Sequence, residues 1–87
     1  MDTKVNMPPI EQYVIDFVRK VRVENKLRQQ DIAEILNTST SFIGNVENFQ
    51  NPAKYNLKHI NLLANYFNIS PREFLPEKPI HTEESVY

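Results

Sequence analysis

The sequence predicts an all-α domain, and three observations carry that reading. Apolar residues recur at three- and four-residue spacing through most of the chain, no alternating run is long enough to make a strand, and the breaks fall at asparagine and proline. At 87 residues the chain is sized for one small domain. Its single glycine is Gly44, so asparagine is expected to replace glycine where a turn needs positive φ, at Asn37 and Asn68 in particular.

Five helices are expected in order. Pro8 and Pro9 suit a helix start, and Ile10, Val14, Phe17, Val18 and Val21 then set out an amphipathic first helix over Pro9 to Glu24. Asn25 and Lys26 break it. Gln29 to Leu36 forms a second helix of about two turns, with Ile32, Ala33, Ile35 and Leu36 on its apolar face and Asp31 favourably placed in its first turn. Asn37 ends that helix and the Ser39 side chain caps a third, from about Thr40 to Asn48, which buries Ile43 and Val46. Phe49 to Tyr55, with Pro52, reads as a loop. Asn56 then caps a fourth helix whose apolar face is Leu57, Ile60, Leu63, Ala64 and Phe67. Ser70-Pro71-Arg72-Glu73 is a capping-box pattern that starts a short fifth helix with Phe74 and Leu75 packed on the core. The expected division is an arm over residues 1–8, a domain over 9–75, and an acidic, proline-bearing and flexible tail over 76–87.

Composition narrows the function classes. Cysteine is absent, which excludes thiolate nucleophiles and thiolate metal sites, and His59 and His81 are too few and too far apart to hold zinc alone. Paired carboxylates, a nucleophile–base spacing and a glycine-rich phosphate loop are all missing from the pattern, so the reading is of a non-enzyme without a cofactor. No apolar run approaches a membrane span, and a cytoplasmic protein with no membrane partner is expected. The net charge of −1 conceals a division: Arg19 to Phe67 carries seven basic residues against four acidic ones, while both ends of the chain are acidic.

The most specific stretch is Gln29-Gln30-Asp31-Ile32-Ala33-Glu34-Ile35-Leu36-Asn37-Thr38-Ser39-Thr40-Ser41-Phe42-Ile43-Gly44-Asn45-Val46-Glu47, two short helices across a three-residue turn. It resembles the helix-turn-helix of the phage-repressor and Cro-like (Xre-type) family. The likeness extends from about Val14 to the Ile69-Ser70-Pro71-Arg72-Glu73-Phe74-Leu75 element. It implies a compact five-helix lambda-repressor-like domain that binds double-stranded DNA and regulates transcription, with the third helix in the major groove. It also implies a homodimer spanning two half-sites about 34–36 Å apart. Tyr66 and Phe74, or Met7 and Tyr13, are candidate seam residues.

Residue roles follow from the same likeness. Base contacts fall to Thr40, Ser41, Gly44 and Asn45, the outward residues of the third helix. An asparagine amide can pair with an adenine edge through two hydrogen bonds. Thr40 and Ser41 equally suit capping at the helix start. Phosphate contacts fall to Arg28, Gln29, Asn48, Lys54 and Lys58, each of which also reads as an ordinary surface side chain. Arg22 and Glu47 hold the positions of an ion pair that sets the angle of the third helix. Three departures stand out. Arg28 replaces the usual hydroxyl cap, Lys26, Asn37 and Phe49 replace family glycines, and the outward face of the third helix has no cation. A bulky Phe49 at positive φ would be strained, so the loop after that helix is expected to take another path. The uncharged face and acidic ends also suit a protein-interaction module on the same scaffold. The tail further suits an antitoxin-type regulator whose last residues bind a protein partner.

Overall fold

The computed structural model describes residues 6–81. Most of the expected arm, at 1–5, and the last six residues of the tail, at 82–87, lie outside that range. The described chain holds four α-helices, α1 (Pro9–Glu24), α2 (Gln29–Leu36), α3 (Thr40–Val46) and α4 (Leu57–Phe67), followed by a 3-10 turn at Pro71–Phe74. No strand occurs among the described residues.

Local chemistry accounts for the boundaries. Pro9 opens α1, where its missing N–H leaves nothing unsatisfied. Asn37 and Asn68 close α2 and α4 in the left-handed conformation, at φ 55° and 59°, and their amides return to carbonyls of the last turn. Lys26 also has positive φ, at 57°, and carries a Cβ where the related pattern has glycine. Phe49 does not: among the described residues only Lys26, Asn37 and Asn68 have positive φ. The loop after α3 is shaped instead by asparagine side chains, with Asn48 Oδ1 accepting from the Gln50 amide (3.0 Å) and Asn51 Oδ1 from the Ala53 amide (2.9 Å).

Two expectations are corrected. Helix α3 ends at Val46 and not at Asn48, because the Asn48 amide takes the carbonyl three residues back, at Asn45, and its side chain begins the next turn. The fifth element is a 3-10 turn and not an α-helix. Ser70 Oγ there accepts from the Arg72 amide (3.1 Å), two residues on, where a capping box would take Glu73.

Thirteen residues form the core: Val14, Ile15 and Val18 of α1, Ile32, Ala33 and Leu36 of α2, Ile43 and Val46 of α3, Ile60, Leu63 and Ala64 of α4, and Tyr55 and Phe74. Helix α2 packs on α3 and α4, while α1 and α4 hold the 3-10 turn between them. Phe74 is fully buried, its ring edge-on to Phe17 at 4.9 Å, so it has no surface to offer a dimer seam. Leu57 departs from its expected inward face: at the first position of α4 it is 79% exposed.

Candidate nucleic-acid interface

The turn between α2 and α3 is closed by short polar groups. Ser39 Oγ accepts from the Phe42 amide (3.1 Å), so the capping of α3 falls to Ser39. Thr40 and Ser41 are left exposed and without a side-chain hydrogen bond among the described residues. Ile43 and Val46 are buried, so the helical repeat turns Thr40, Ser41 and Asn45 outward, with Gly44 half-buried beside them. The four proposed base-contacting residues therefore share one face of one helix.

Three helices converge on the far end of that face. Glu47, which caps α3, has a side chain only 5% exposed and is bridged by Arg22 of α1 through two parallel bonds, Nε to Oε2 and Nη2 to Oε1, both 2.9 Å. Arg22 Nη1 also donates to the Leu27 carbonyl (3.0 Å), fixing the guanidinium against the chain between α1 and α2. Gln29, the first residue of α2, donates Nε2 to Glu47 Oε1 at 3.0 Å. The more exposed Arg19 adds a longer contact of 3.7 Å. One carboxylate thus ties α1, α2 and α3 together. Sequence reading paired Arg22 with Glu47 but did not foresee Gln29 as the third member.

Gly44 sits under the same glutamine. A Cβ built there would meet Gln29 Oε1 at 3.5 Å, an ordinary contact, and the residue does not have positive φ. Nothing inside the protein requires glycine at this point. In a helix interior it costs about 0.5–1 kcal/mol relative to alanine.

The expected phosphate contacts divide. Arg28 caps α2 and pairs with Asp31, whose carboxylate accepts from the Arg28 amide (2.7 Å) and guanidinium (3.1 and 3.3 Å). The arginine's hydrogen bond and charge hold the Asp31 carboxyl below its ordinary value. Asp31 therefore meets one of the orphan amides that a hydroxyl cap would leave to other partners. Asn48 and Lys58 are exposed near either end of the loop between α3 and α4. Lys54 points elsewhere, bound to Glu11 of α1 at 2.9 Å.

Behind α3, Phe42, Tyr55 and His59 form an aromatic cluster with ring centroids 5.4–6.3 Å apart. Tyr55, which the sequence leaves in a loop, belongs to the core. Burial and the Glu47 charge raise its hydroxyl well above the ordinary phenol value, partly offset by Arg22. His59 forms a reciprocal cap with Asn56. Its amide donates to Asn56 Oδ1 (2.8 Å), and its Nδ1 accepts from the Asn56 amide (3.1 Å). Accepting at Nδ1 requires the proton to sit on Nε2. Burial and then Lys58 hold the imidazole below its ordinary value of 6.5. The Asn-x-x-His spacing was the available signal for this cap.

Among the described residues no group of three histidines or carboxylates could hold a metal ion, and no helix is long and apolar enough to cross a membrane. Comparison with protein-family models, curated proteins and solved structures gives no match for this chain.

Proposed function

We propose that this domain binds double-stranded DNA as a transcriptional regulator of the repressor type, laying α3 in the major groove, in the manner of the phage-repressor and Cro-like proteins it resembles. The observation that carries the reading is the outward face of α3. Among the described residues, the side chains of Thr40, Ser41 and Asn45 stand there without a hydrogen bond, around a glycine at which a Cβ would make only an ordinary contact. A groove wall that approaches the helix backbone closely gives that glycine a reason.

In this reading Asn45 pairs with an adenine edge, and the hydroxyls of Thr40 and Ser41 meet neighbouring bases or phosphates. Gln29 has one amide hydrogen on Glu47 and the other free for a phosphate, while Asn48 and Lys58 approach the backbone from the far side of α3. Arg28 leaves Asp31 at little cost, because water screens an ion pair that lies in solvent. Two copies on two half-sites supply the contact area that one short helix lacks.

The lack of a cation on the α3 face favours a second reading, a protein-interaction scaffold with weak DNA affinity. Enrichment of a random duplex library on the purified protein at about 50 mM salt separates the two. The DNA reading predicts a two-fold-symmetric site on which Asn45→Ala relaxes preference at one base pair per half-site, whereas Gln29→Ala weakens all sequences alike. A folded protein that enriches nothing belongs to the second reading, and its partner is then sought on the tail.

A further inference from the structure

Among the described residues, Tyr55 alone buries a side-chain hydrogen-bonding atom that has no partner. The residue is 7% exposed, and its ring is held edge-on by Phe42 and His59, at 6.3 and 5.9 Å. It lines the apolar groove between the starts of α1 and α4, which Ile10, Leu57 and Leu75 rim beside the Glu11–Lys54 pair. The hydroxyl itself is closed to solvent, so water in that open groove does not reach it. A phenol hydroxyl is one donor and an acceptor, and protein interiors rarely leave such a group unsatisfied.

The counterpart is on Glu47. Its Oε1 accepts from Arg22 Nη2 and Gln29 Nε2, whereas its Oε2 accepts only from Arg22 Nε. A carboxylate oxygen has two lone pairs, so Oε2 keeps one acceptor position on a side chain that is 5% exposed. Tyr55 lies near enough for both members of that ion pair to act on its hydroxyl, Glu47 opposing its ionisation and Arg22 favouring it. A buried donor without an acceptor and a buried acceptor short of a donor thus share one part of the interior, and no direct bond joins them.

We propose that one buried water molecule joins the Tyr55 hydroxyl to Glu47 Oε2. It accepts from the hydroxyl and donates to the carboxylate, the direction that both ends require. A cation between them would meet the Arg22 guanidinium, and an anion would meet the carboxylate. A neutral molecule that both donates and accepts avoids either conflict, and water is the smallest of that class. The bridge adds the chain entering α4 to the carboxylate that already ties α1, α2 and α3, and so fixes the end of α3 against the loop that follows it. It does not depend on what α3 binds, so it stands or falls apart from the DNA reading.

Tyr55→Phe keeps the ring and removes only the hydroxyl, and the sign of its effect on urea unfolding of the whole chain is decisive. Loss of an unpartnered hydroxyl leaves the midpoint unchanged or raises it. Loss of a bridged one lowers it, because the water and Glu47 Oε2 are then short of a donor. The expected result is a lower midpoint, together with a water about 3 Å from both Tyr55 Oη and Glu47 Oε2 in a high-resolution crystal structure of the wild type. A midpoint that stays or rises overturns the proposal. So does a fall in a crystal that shows no such water, which would give the hydroxyl directly to Glu47.

Discussion

Glu47 has the most concentrated role of any side chain in the domain. Its carboxylate accepts three side-chain hydrogen bonds of 2.9–3.0 Å, from Arg22 and Gln29, on a group that is 5% exposed. Removing it leaves the Arg22 guanidinium, only 13% exposed, without a counter-charge. Glu47→Ala is therefore expected to destabilise the fold by about 3–5 kcal/mol in urea unfolding, the range for breaking a buried pair on one side. Arg28→Ala removes a pair that lies in solvent, and its effect on stability should be far smaller than that of Glu47→Ala in the same urea titration. The contrast separates the pair that sets the angle of α3 from the pair that merely dresses α2. The first was legible only through the resemblance to the phage-repressor pattern, which sets an ion pair at these two positions. The participation of Gln29 was not, because a glutamine at a helix start has no sequence feature that distinguishes an inward amide from an outward one.

At the scale of the elements, α4 owes its start to the Asn56–His59 reciprocal cap. Asn56→Ala should cost about 1 kcal/mol, as loss of an N-cap does. The same histidine, partly buried and beside Lys58, makes the fold sensitive to pH in a defined direction. The folded state holds His59 below 6.5, so the unfolded chain binds the proton more readily. This contribution is fully present above about pH 6.5 and is lost as pH falls through the lower, folded-state value. Equilibrium unfolding followed between pH 8 and 5 should show that decline. His59→Gln, which retains a capping side chain at the same position, should flatten it. The helices themselves were readable because their apolar periodicity is strong, and Asn37 and Asn68 took the left-handed turns expected of them. The fifth element was misjudged because Ser-Pro-x-Glu begins an α-helix and a 3-10 turn alike, and only the packing of Phe74 between α1 and α4 decides how many residues follow.

For the molecule as a whole, two surfaces point in different chemical directions. The α3 face is polar, uncharged and carries the one glycine; the groove between α1 and α4 is apolar with a balanced ion pair. The apolar groove could not be read from the chain, since Leu57 fits the periodicity of α4 as well as its neighbours do. In the fold it stands at the first position of α4 and is 79% exposed, which the periodicity does not show. Lys54 is a similar case. As a lone cation beside α3 it reads as a phosphate contact, and only the fold brings Glu11 to it across 43 residues. With few free cations near α3, the proposed DNA complex should show a shallow salt dependence. Titrating the best duplex with salt should give a slope of about −2 per domain, because of the four remaining phosphate contacts only Arg28 and Lys58 are cations that displace counterions.

The glycine on α3 gives the account its most direct test. Gly44→Ala should be measured twice, by urea unfolding and by affinity for the best enriched duplex. The Cβ has room beside Gln29 and relieves the helix of its most flexible residue, so stability should rise by about 0.5–1 kcal/mol. If a groove wall lies against that backbone, affinity should fall at least about tenfold in the same protein, the scale of one lost base contact. A variant that is more stable and binds the duplex as well as the wild type would contradict the assignment of α3 as the DNA-reading helix.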